Sequence, residues 1–517
     1  MAFEPYRNEP FTDFSDPAAA EAYRAALEQV RPHLGRDWPL VIGGERVTTG
    51  RWLDSLDPCE PSRVVGRAAM AGAAELDRAF VSAEQAFAEW SRWSAEARGR
   101  ARVRLAALMR RRALELCAWE TFEAGKNWRE ADADVAEAID FLEYYAREAL
   151  ALDEPLRTHH WPGEENLTRL QPMGVGVVIP PWNFLLAILV GTVAAPVAAG
   201  NTVIVKPSPS TPIIAGLFME LVAEAGIPDG VINLITGADA EIGDALVDDP
   251  RTRFVNFTGS VATGLRIHER AAKVQPGQRF VKRTMLEMGG KDALIVDETA
   301  DLELAAESAV ASAFGFNGQK CSALSRLIVV DAVADDLLAR IVERTKRLRV
   351  GLASENADVT AVINERQYEK ILGFLAEAPD SGTVLAGGGR AAGAGEGYFI
   401  APTVVDGVAP SARMAREEIF GPVMAVLRAR DFEHAIELFN DSDYGLTGGI
   451  SSSSRERIER ARRECQAGNF YVNRKITGAL VGVQPFGGFK LSGTNSKAGG
   501  PDYLRLFVEA KTVTERF

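Results

Sequence analysis

The stretch from Leu170 to Val205 contains no charged side chain, and an uncharged run of this length has to be buried. Such a run either crosses a membrane or forms the interior of a soluble α/β domain. The flanks GVGVVIPPWN and GNTVIVKP have the composition of buried strands, and Pro196 and Gly200 would interrupt a spanning helix. We therefore predict a strand–helix–strand unit at the centre of a soluble α/β domain.

Strand-like and helix-like segments alternate after this unit. TVIVKP, GVINLIT and RFVNFTG are strand patterns separated by helical ones, and a second series runs from DALIVD to GNFYVNR. This alternation predicts βαβ units with mostly parallel sheets, arranged as two α/β domains in tandem. The region before about residue 150 has mainly helical apolar spacing, including one long helical pattern over ARGRARVRLAALMRRRALELCAWETFEAG.

Composition excludes several classes of partner. The net charge of −13 argues against nucleic acid and anionic membranes, because phosphate groups bind clusters of Lys and Arg. No signal-peptide pattern is visible, and the cysteines are scattered without a CxxC pair, so we expect free thiols in the cytoplasm. No metal site is predicted, since His159 and His160 have no partner at ligand spacing.

Three residues in separate loops are candidates for catalysis. Cys321, in FNGQKCSALSR, lies between a helical pattern that Asp301 can cap and the strand pattern SRLIVVD; its other interpretation is a small core residue. Glu287, in LEMGGK, follows an apolar residue and is either a surface glutamate or a general base whose pKa is raised by desolvation. Asn183, in PPWNF, has an amide that can donate to an oxyanion.

A nucleotide site is indicated by two strand ends rather than by a glycine fingerprint. GVGVV lacks the third glycine of GxGxxG. Lys206 follows the strand pattern TVIV and can bind a ribose hydroxyl or a phosphate. Gly259 and Ser260 follow FVNFT at the start of a helical pattern, where backbone N–H groups can bind a pyrophosphate. Each strand end alone is also explained by an ordinary turn, but the two together favour a nucleotide site. A nucleotide site beside a thiol, a carboxylate and an amide would suit covalent oxidation of an aldehyde.

The motifs that carry these residues resemble those of the aldehyde dehydrogenase superfamily. PWNF, VIVKP, FTGSVATG, LEMGGK, GQKCSA, EEIFGPV and PFGGFKLSG occur in the order and at roughly the spacing of that family. KNWREADADVAEAIDFLEYYARE, NRKITGALVGVQPFGGFKLSGTNSKAGGPDYL and the ERF terminus resemble the branch that oxidises L-glutamate γ-semialdehyde, formed from 1-pyrroline-5-carboxylate, to L-glutamate in proline degradation. The likeness covers nearly the whole chain.

The resemblance implies an α/β fold with two Rossmann-like parallel-sheet domains and a small β-flap. Residues 1–154 and 172–288 would form a cofactor-binding domain, and residues 289–475 a catalytic domain. Residues 476–497 would return to line the substrate site, and residues 155–171 and 498–517 would be the oligomerisation flap and tail. A homo-oligomer built on a dimer is therefore expected, and the shared pathway suggests association with a proline dehydrogenase.

The resemblance also implies a role for each catalytic candidate. Cys321 would attack the aldehyde to give a thiohemiacetal, whose oxyanion would be held by the Asn183 amide and the Cys321 N–H. Hydride transfer to nicotinamide would leave a thioester, and Glu287 would deprotonate the water that hydrolyses it. Because the thiolate is the nucleophile, we expect the site to favour the ionised form of Cys321.

NAD is the implied cofactor, with NADP expected beside it. The superfamily often has an acidic residue three positions after the lysine equivalent to Lys206, where it opposes a 2′-phosphate; here that position is Pro209. Lys206 would hold the adenosine ribose, Glu418 the nicotinamide ribose, and Ser260 and Trp182 the pyrophosphate. The full implied set of cofactor residues is Lys206, Ser208, Trp182, Gly259, Ser260, Gly264, Glu418 and Phe420.

The amino-acid end of the substrate would also be recognised. Ser322 and the backbone N–H groups of Gly478 and Ala479 would bind its carboxylate. Phe184 and Phe486 would flank the aliphatic chain, although core packing is their plain alternative.

Glu137 would lie near the ammonium group of the substrate, whereas the helical pattern around it alone suggests a solvated side chain.

Three other functions are compatible with parts of this pattern. The chain could oxidise another semialdehyde or an unfunctionalised aldehyde with the same chemistry. It could transfer the acyl group to coenzyme A, although Glu287 argues for hydrolysis. It could also be a non-catalytic structural protein on the same fold.

Overall fold

The computed structural model describes residues 3–156 and 158–517. Met1 and Ala2, in the predicted cofactor-binding domain, and Arg157, in the predicted flap, lie outside the described residues. The elements before residue 157 are α1 Pro17–Val30, β1 Arg36–Trp38, β2 Leu40–Ile42, β3 Glu45–Val47, β4 Trp52–Asp57, β5 Glu60–Ala69, α2 Ala73–Trp90, α3 Ala95–Arg111, α4 Ala113–Ala124 and α5 Trp128–Glu148.

A regular alternation of strand and helix follows the first helices. Its elements are β6 Glu164–Pro172, β7 Val175–Ile179, α6 Ala187–Ala198, β8 Thr202–Val205, α7 Ile213–Glu224, β9 Ile232–Leu234, α8 Asp239–Asp248, β10 Phe254–Thr258, α9 Val261–Ala272 and β11 Arg283–Glu287. The uncharged stretch thus forms β7, α6 and β8, as predicted. Within the described residues, no helix combines the length and apolarity needed to cross a membrane.

The second half repeats this alternation. Its elements are β12 Asp292–Val296, α10 Leu302–Phe314, β13 Leu324–Val330, α11 Asp331–Arg347, α12 Glu365–Ala376, α13 Ala378–Ser381, β14 Thr383–Ala386, β15 Thr403–Asp406, α14 Arg413–Arg416, β16 Val423–Ala429, α15 Phe432–Asn440, β17 Tyr444–Gly445, β18 Thr447–Ser451, α16 Arg455–Glu464, β19 Asn469–Val472, β20 Phe489–Lys490 and β21 Val508–Arg516. Asp301 caps α10, as predicted, by accepting from the N–H groups of Glu303 and Leu304.

Two seven-stranded sheets form the centres of the molecule. The first has the order β11-β10-β7-β8-β9-β2-β3 and is parallel from β11 to β9. The second has the order β14-β15-β16-β13-β12-β18-β19 and is parallel except between β14 and β15. In the first sheet the carboxyl ends of β11, β10, β7 and β8 meet at one edge, where open α/β sheets bind ligands.

Smaller sheets complete the fold. β1, β5 and β4 form a three-stranded sheet, and β17 pairs with β20. β6 and β21 form an antiparallel ribbon in register from Val508 opposite Pro172 to Arg516 opposite Glu164, so the predicted flap and tail pair with each other. Asn201 ties this ribbon to the first sheet, since it accepts from Met173 and Gly174 N–H and donates to Phe507 O at 2.9 Å.

One local prediction fails before residue 130, and two strands there were not predicted. The predicted long helix is broken at Arg112, which has φ −110° and separates α3 from α4. Strands β4 and β5, which no pattern indicated, form because β5 pairs with both β1 and β4.

Glu123 joins α4 to the helix that follows Lys206. Its buried carboxylate accepts from the N–H groups of Ile213 at 2.7 Å and Ile214 at 2.9 Å, at the start of α7, and from the Ser55 hydroxyl at 3.1 Å. Burial raises the pKa of Glu123 to about 7, although these three donors lower it. The carboxylate supplies the cap that the first turn of α7 would otherwise lack.

Glu123→Ala should therefore lower the free energy of unfolding by about 2–4 kcal/mol in a urea titration, because it leaves buried donors without an acceptor. Glu115→Ala is the matched control on the same helix, since Glu115 forms a partly exposed pair with Arg112 and its loss should cost less than about 1 kcal/mol. Equal losses in the two variants would contradict this role.

Candidate active site

The predicted nucleophile lies in a tightly constrained loop between α10 and β13. Phe316 (φ 46°) and Asn317 (φ 58°) adopt left-handed backbone conformations that side chains rarely occupy. Asn317 Nδ2 donates to Ala361 O at 2.8 Å, and its Oδ1 accepts from Thr360 N at 2.7 Å. The loop is thus held against residues 360–363 by its own side chains, which places Cys321 at a fixed position.

Asn183 reaches the same loop from the end of β7. Its Nδ2 donates to Gln319 O at 3.0 Å, and the side chain is 3% exposed. An amide nitrogen carries two hydrogens, and this bond uses one of them. This hydrogen bond joins the side chain of Asn183 to the backbone of Gln319, which is two residues before Cys321.

Cys321 and Glu287 both line a cavity of about 110 Å³. Glu287 ends β11, next to β10, and its two carboxylate oxygens are buried with no hydrogen-bond partner among the described residues. Burial raises the pKa of Glu287 well above its ordinary value, and Lys497 opposes this only in part. A desolvated carboxylate of this kind is suited to accept a proton.

The expectation of an ionised thiol is wrong for this structure. Burial raises the pKa of Cys321 well above its ordinary value, and the charges of Glu287, Asp292 and Glu418 raise it further. These carboxylates come from segments far apart in sequence, so their convergence was not visible in the loop motif. These surroundings favour the neutral thiol, which then has to lose its proton as it reacts.

Every predicted substrate residue lines the cavity that contains Cys321. They are Ser322, Gly478, Ala479, Phe184, Phe486 and Glu137. The backbone turns at Gly478 (φ 76°), which presents the peptide of residues 478–479 to the cavity. Glu137 is part-buried rather than solvated, and its pKa is raised to about 8 by burial and then by Asp134.

A buried charge cluster supports Phe184 from behind. Lys126 Nζ lies 5.1 Å from the ring centroids of both Phe184 and Phe316. It forms ion pairs with Asp134 and, at 3.4 Å, with Glu120, and all three side chains are at most 1% exposed. Asp134 also accepts from Ala187 N at 2.8 Å, at the start of α6. This cluster links a cavity ring to the nucleophile loop.

Further polar residues in the cavity were not predicted. Tyr503 donates through its hydroxyl to Asn256 Oδ1 at 3.1 Å, and Asn256 Nδ2 donates to Thr192 O at 3.0 Å. A polar residue in the middle of the apolar strand RFVNFTG was the one signal available for Asn256. Outside the cavity lining, Gln319 in the loop of Cys321 accepts through its Oε1 from Ile363 N at 2.9 Å, and no role was predicted for it. Lys320 pairs with Glu130 at 2.7 Å.

The predicted cofactor residues gather at the carboxyl edge of the first sheet. Lys206 follows β8 and is 1% exposed, and Ser208 and Pro209 continue from it. Ser260 caps α9 by accepting from Thr263 N at 3.3 Å, directly after β10. Gly259 and Gly264 have no room for a side chain, because a Cβ would meet Phe257 or Met288. This arrangement fits a dinucleotide, whose pyrophosphate would lie at the start of α9.

Glu418 and Phe420, which were predicted to bind the cofactor, lie in a loop of the second sheet. Glu418 accepts from Gly290 N at 3.0 Å, and Lys370 Nζ donates to Glu418 O at 2.9 Å. Phe420 (φ 61°) packs edge-on against Trp182 at 5.3 Å between ring centroids. A Cβ at Gly290 would lie 2.5 Å from Cys321 O, so this glycine lets the loop between β11 and β12 approach the loop that carries Cys321. Within the described residues, no group of three or more His, Cys, Asp or Glu side chains is placed to hold a metal.

The fold and this site define the class of protein. Residues 46–513 match the model of the aldehyde dehydrogenase family, and the chain belongs to that family. It is 54% identical over 516 residues to the 1-pyrroline-5-carboxylate dehydrogenase of Geobacillus kaustophilus, an alignment that covers 99% of this chain and 100% of the relative.

Solved structures of similar proteins superpose closely on this chain. A 1-pyrroline-5-carboxylate dehydrogenase from Thermus with bound NAD superposes with a TM-score of 0.99 at 53% identity, covering 100% of both chains. Proline utilization A from Bdellovibrio bacteriovorus superposes with a TM-score of 0.97 at 42% identity, covering 100% of this chain and 54% of that one.

The loop geometry predicts a specific effect of Asn317→Ala. Without the amide contacts to residues 360 and 361, the left-handed turn relaxes and Cys321 moves, which should lower kcat by roughly 10- to 100-fold. Asn356→Ala is the matched control, because Asn356 is also left-handed (φ 55°) but follows the turn at Ala353–Glu355, outside the loop that carries Cys321. Both variants should lose about 1 kcal/mol of stability, yet Asn356→Ala should keep its kcat. Equal loss of kcat in the two variants would refute the positioning role of Asn317.

Proposed function

We propose that this chain oxidises L-glutamate γ-semialdehyde to L-glutamate with NAD as the hydride acceptor. The observation that carries the proposal is that one cavity contains the thiol and carboxylate of an aldehyde dehydrogenase together with Ser322, Gly478 and Ala479. The names of the relatives, and the NAD in the Thermus structure, support both substrate and cofactor.

The reaction begins at Cys321. The thiol sulfur bonds to the aldehyde carbon, its proton passes to the carboxylate form of Glu287, and the carbonyl oxygen becomes an oxyanion that the Asn183 amide and the Cys321 N–H stabilise. Bound NAD supplies the acceptor for the hydride that leaves this carbon, so the carbon is oxidised to the level of a thioester. Lys206, Ser208, Gly259, Ser260 and Gly264 hold the adenosine and pyrophosphate end.

Hydrolysis then uses the same carboxylate. Glu287 loses the first proton to solvent, deprotonates a water, and the resulting oxygen bonds to the thioester carbon. The C–S bond breaks, the sulfur recovers a proton, and L-glutamate is released. The desolvated position of Glu287 suits it for both transfers because its raised pKa makes it a stronger base than an exposed carboxylate. Glu418 would hold the nicotinamide ribose with Phe420 packed nearby, and Trp182 would contact the pyrophosphate beside Ser260.

The remaining cavity residues select the substrate. Ser322, Gly478 and Ala479 bind its α-carboxylate, Phe184 and Phe486 flank its methylene groups, and Glu137 faces its ammonium. We divide the chain into a cofactor-binding domain of residues 1–154 and 172–288, a catalytic domain of residues 289–475, a substrate-lining segment of residues 476–497, and an oligomerisation flap and tail of residues 155–171 and 498–517.

We further propose that the chain forms a homo-oligomer in the cytoplasm. Val513 on the ribbon of β6 and β21, and Trp161 just before β6, are 51% and 65% exposed, as expected of a surface that pairs two subunits of a homo-oligomer. The likeness to one half of proline utilization A supports association with a proline dehydrogenase. Pro209 carries no carboxylate to oppose a 2′-phosphate, so the motif at residues 206–209 by itself allows NADP beside NAD, and the ratio of kcat/KM for the two cofactors measures how far NADP is used.

A panel of aldehydes tests the function. NADH formation with L-glutamate γ-semialdehyde should exceed that with succinic semialdehyde and propanal by at least about 100-fold in kcat/KM, and coenzyme A should not change the rate. Glu287→Gln should give a burst of NADH equal to the number of sites and then stall. A preference for another aldehyde would replace the proposed substrate, acceleration by coenzyme A would indicate acyl transfer, and no NADH with any aldehyde would indicate a structural protein.

Glu137 predicts how binding of the product depends on pH. Its pKa of about 8 means that raising the pH ionises it, and only the ionised form attracts an ammonium group. The inhibition constant of L-glutamate should therefore tighten by roughly tenfold between about pH 6 and pH 8.5 and then level off. Glutarate, which lacks the ammonium, should show no such change, and Glu137→Gln should remove it for L-glutamate. A parallel response of the two ligands would rule out this contact.

A further inference from the structure

The adenosine end of the cofactor site contains a carboxylate that the motif at residues 206–209 does not supply. Lys206 emerges from the carboxyl end of β8, is 1% exposed, and forms an ion pair with Asp239. Asp239 is the first residue of α8, which lies one strand further along the chain after β9. Its side chain is 73% exposed, so the carboxylate stands at the open side of the buried lysine.

We propose that Asp239 determines the preference of this enzyme between NAD and NADP. This inference rests on the proposed function, in which Lys206 binds the adenosine ribose. Pro209 has no charge to oppose a 2′-phosphate, but Asp239 brings a negative charge to the same ammonium group from a different element.

The charge acts against a 2′-phosphate in two ways. A phosphate at the ribose would lie near Lys206 and hence near Asp239, and like charges at short range repel each other. Asp239 also neutralises the cation that the phosphate would otherwise bind. NAD has a neutral hydroxyl at the 2′ position of the ribose. Its binding is therefore affected neither by the repulsion nor by the neutralisation of Lys206.

The start of helix α8 also affects the binding of a 2′-phosphate. The start of a helix carries exposed N–H groups and a partial positive charge, which favour a bound phosphate. Here Asp239 occupies that place in the first turn, beside Lys206. Without its charge, the lysine and the helix start would together form a site that attracts the 2′-phosphate.

Asp239→Asn should therefore shift the cofactor preference without impairing the reaction. We expect kcat/KM for NADP to rise by roughly tenfold and that for NAD to change by less than about threefold, with Asp239→Glu close to the parent. The gain should shrink when the ionic strength is raised from about 20 mM to about 500 mM, because salt screens exposed charges.

Glu241→Gln is the matched control. Glu241 lies in the same first turn of α8 but pairs with Arg51 at 2.7 Å, away from Lys206. Its ratio of kcat/KM for the two cofactors should stay within about twofold of the parent.

Direct titration of both cofactors, followed by quenching of tryptophan fluorescence in the absence of aldehyde, separates this proposal from the proposed function. If the parent binds neither cofactor, both proposals fail. If the parent binds and reduces NAD but the ratio in Asp239→Asn is unchanged, or both cofactors weaken in parallel, Asp239 is structural and this proposal alone is overturned. A salt-independent shift would also contradict it.

Discussion

Glu287 holds both carboxylate oxygens in a buried position where no described residue donates to them, and the chemistry of the site depends on this desolvation. An exposed carboxylate at this place would be a weak base near neutral pH. Burial raises the pKa of Glu287 and that of Cys321 in the same cavity, so the carboxylate is a stronger base than an exposed one and the thiol has to give up its proton as it reacts. The parallel order of β11, β10 and β7 supplies the geometry, because it brings Glu287 and Asn183 to one sheet edge.

Buried charge recurs behind the substrate cavity. Lys126, Asp134 and Glu120 are removed from water as a group, which costs free energy that their mutual attraction only partly returns. The net effect of Asp134 and Glu120 is to raise the pKa of Lys126 despite its burial, so the lysine stays charged. Its position between the rings of Phe184 and Phe316 orients a cavity wall and the nucleophile loop together. The cluster contributes to the shape of the site more than to stability.

Local sequence signals predicted much of this architecture. The uncharged stretch identified β7, α6 and β8, Asp301 marked the start of α10, and motif resemblance identified the residues that converge on the cavity. Long-range packing was beyond these signals: β5 became a strand through pairing with β1 and β4, and the helix broke at Arg112. The ionisation of Cys321 was mispredicted because its burial, and then the approach of Glu287, Asp292 and Glu418, arise only in the folded chain. Asn317 and Asp239 were missed for the same reason, since their partners lie on other elements.

The central claim is that Cys321, Asn183 and Glu287 act on one carbonyl carbon. The most direct measurement is a crystal structure of Glu287→Gln reacted with L-glutamate γ-semialdehyde and NAD, in which the thioester cannot be hydrolysed. The account predicts a covalent bond from Cys321 Sγ to the acyl carbon, the acyl oxygen within about 3.2 Å of Asn183 Nδ2 and Cys321 N, and the α-carboxylate against Gly478 and Ala479. An acyl group on a different residue, or an acyl oxygen directed away from Asn183, would contradict it.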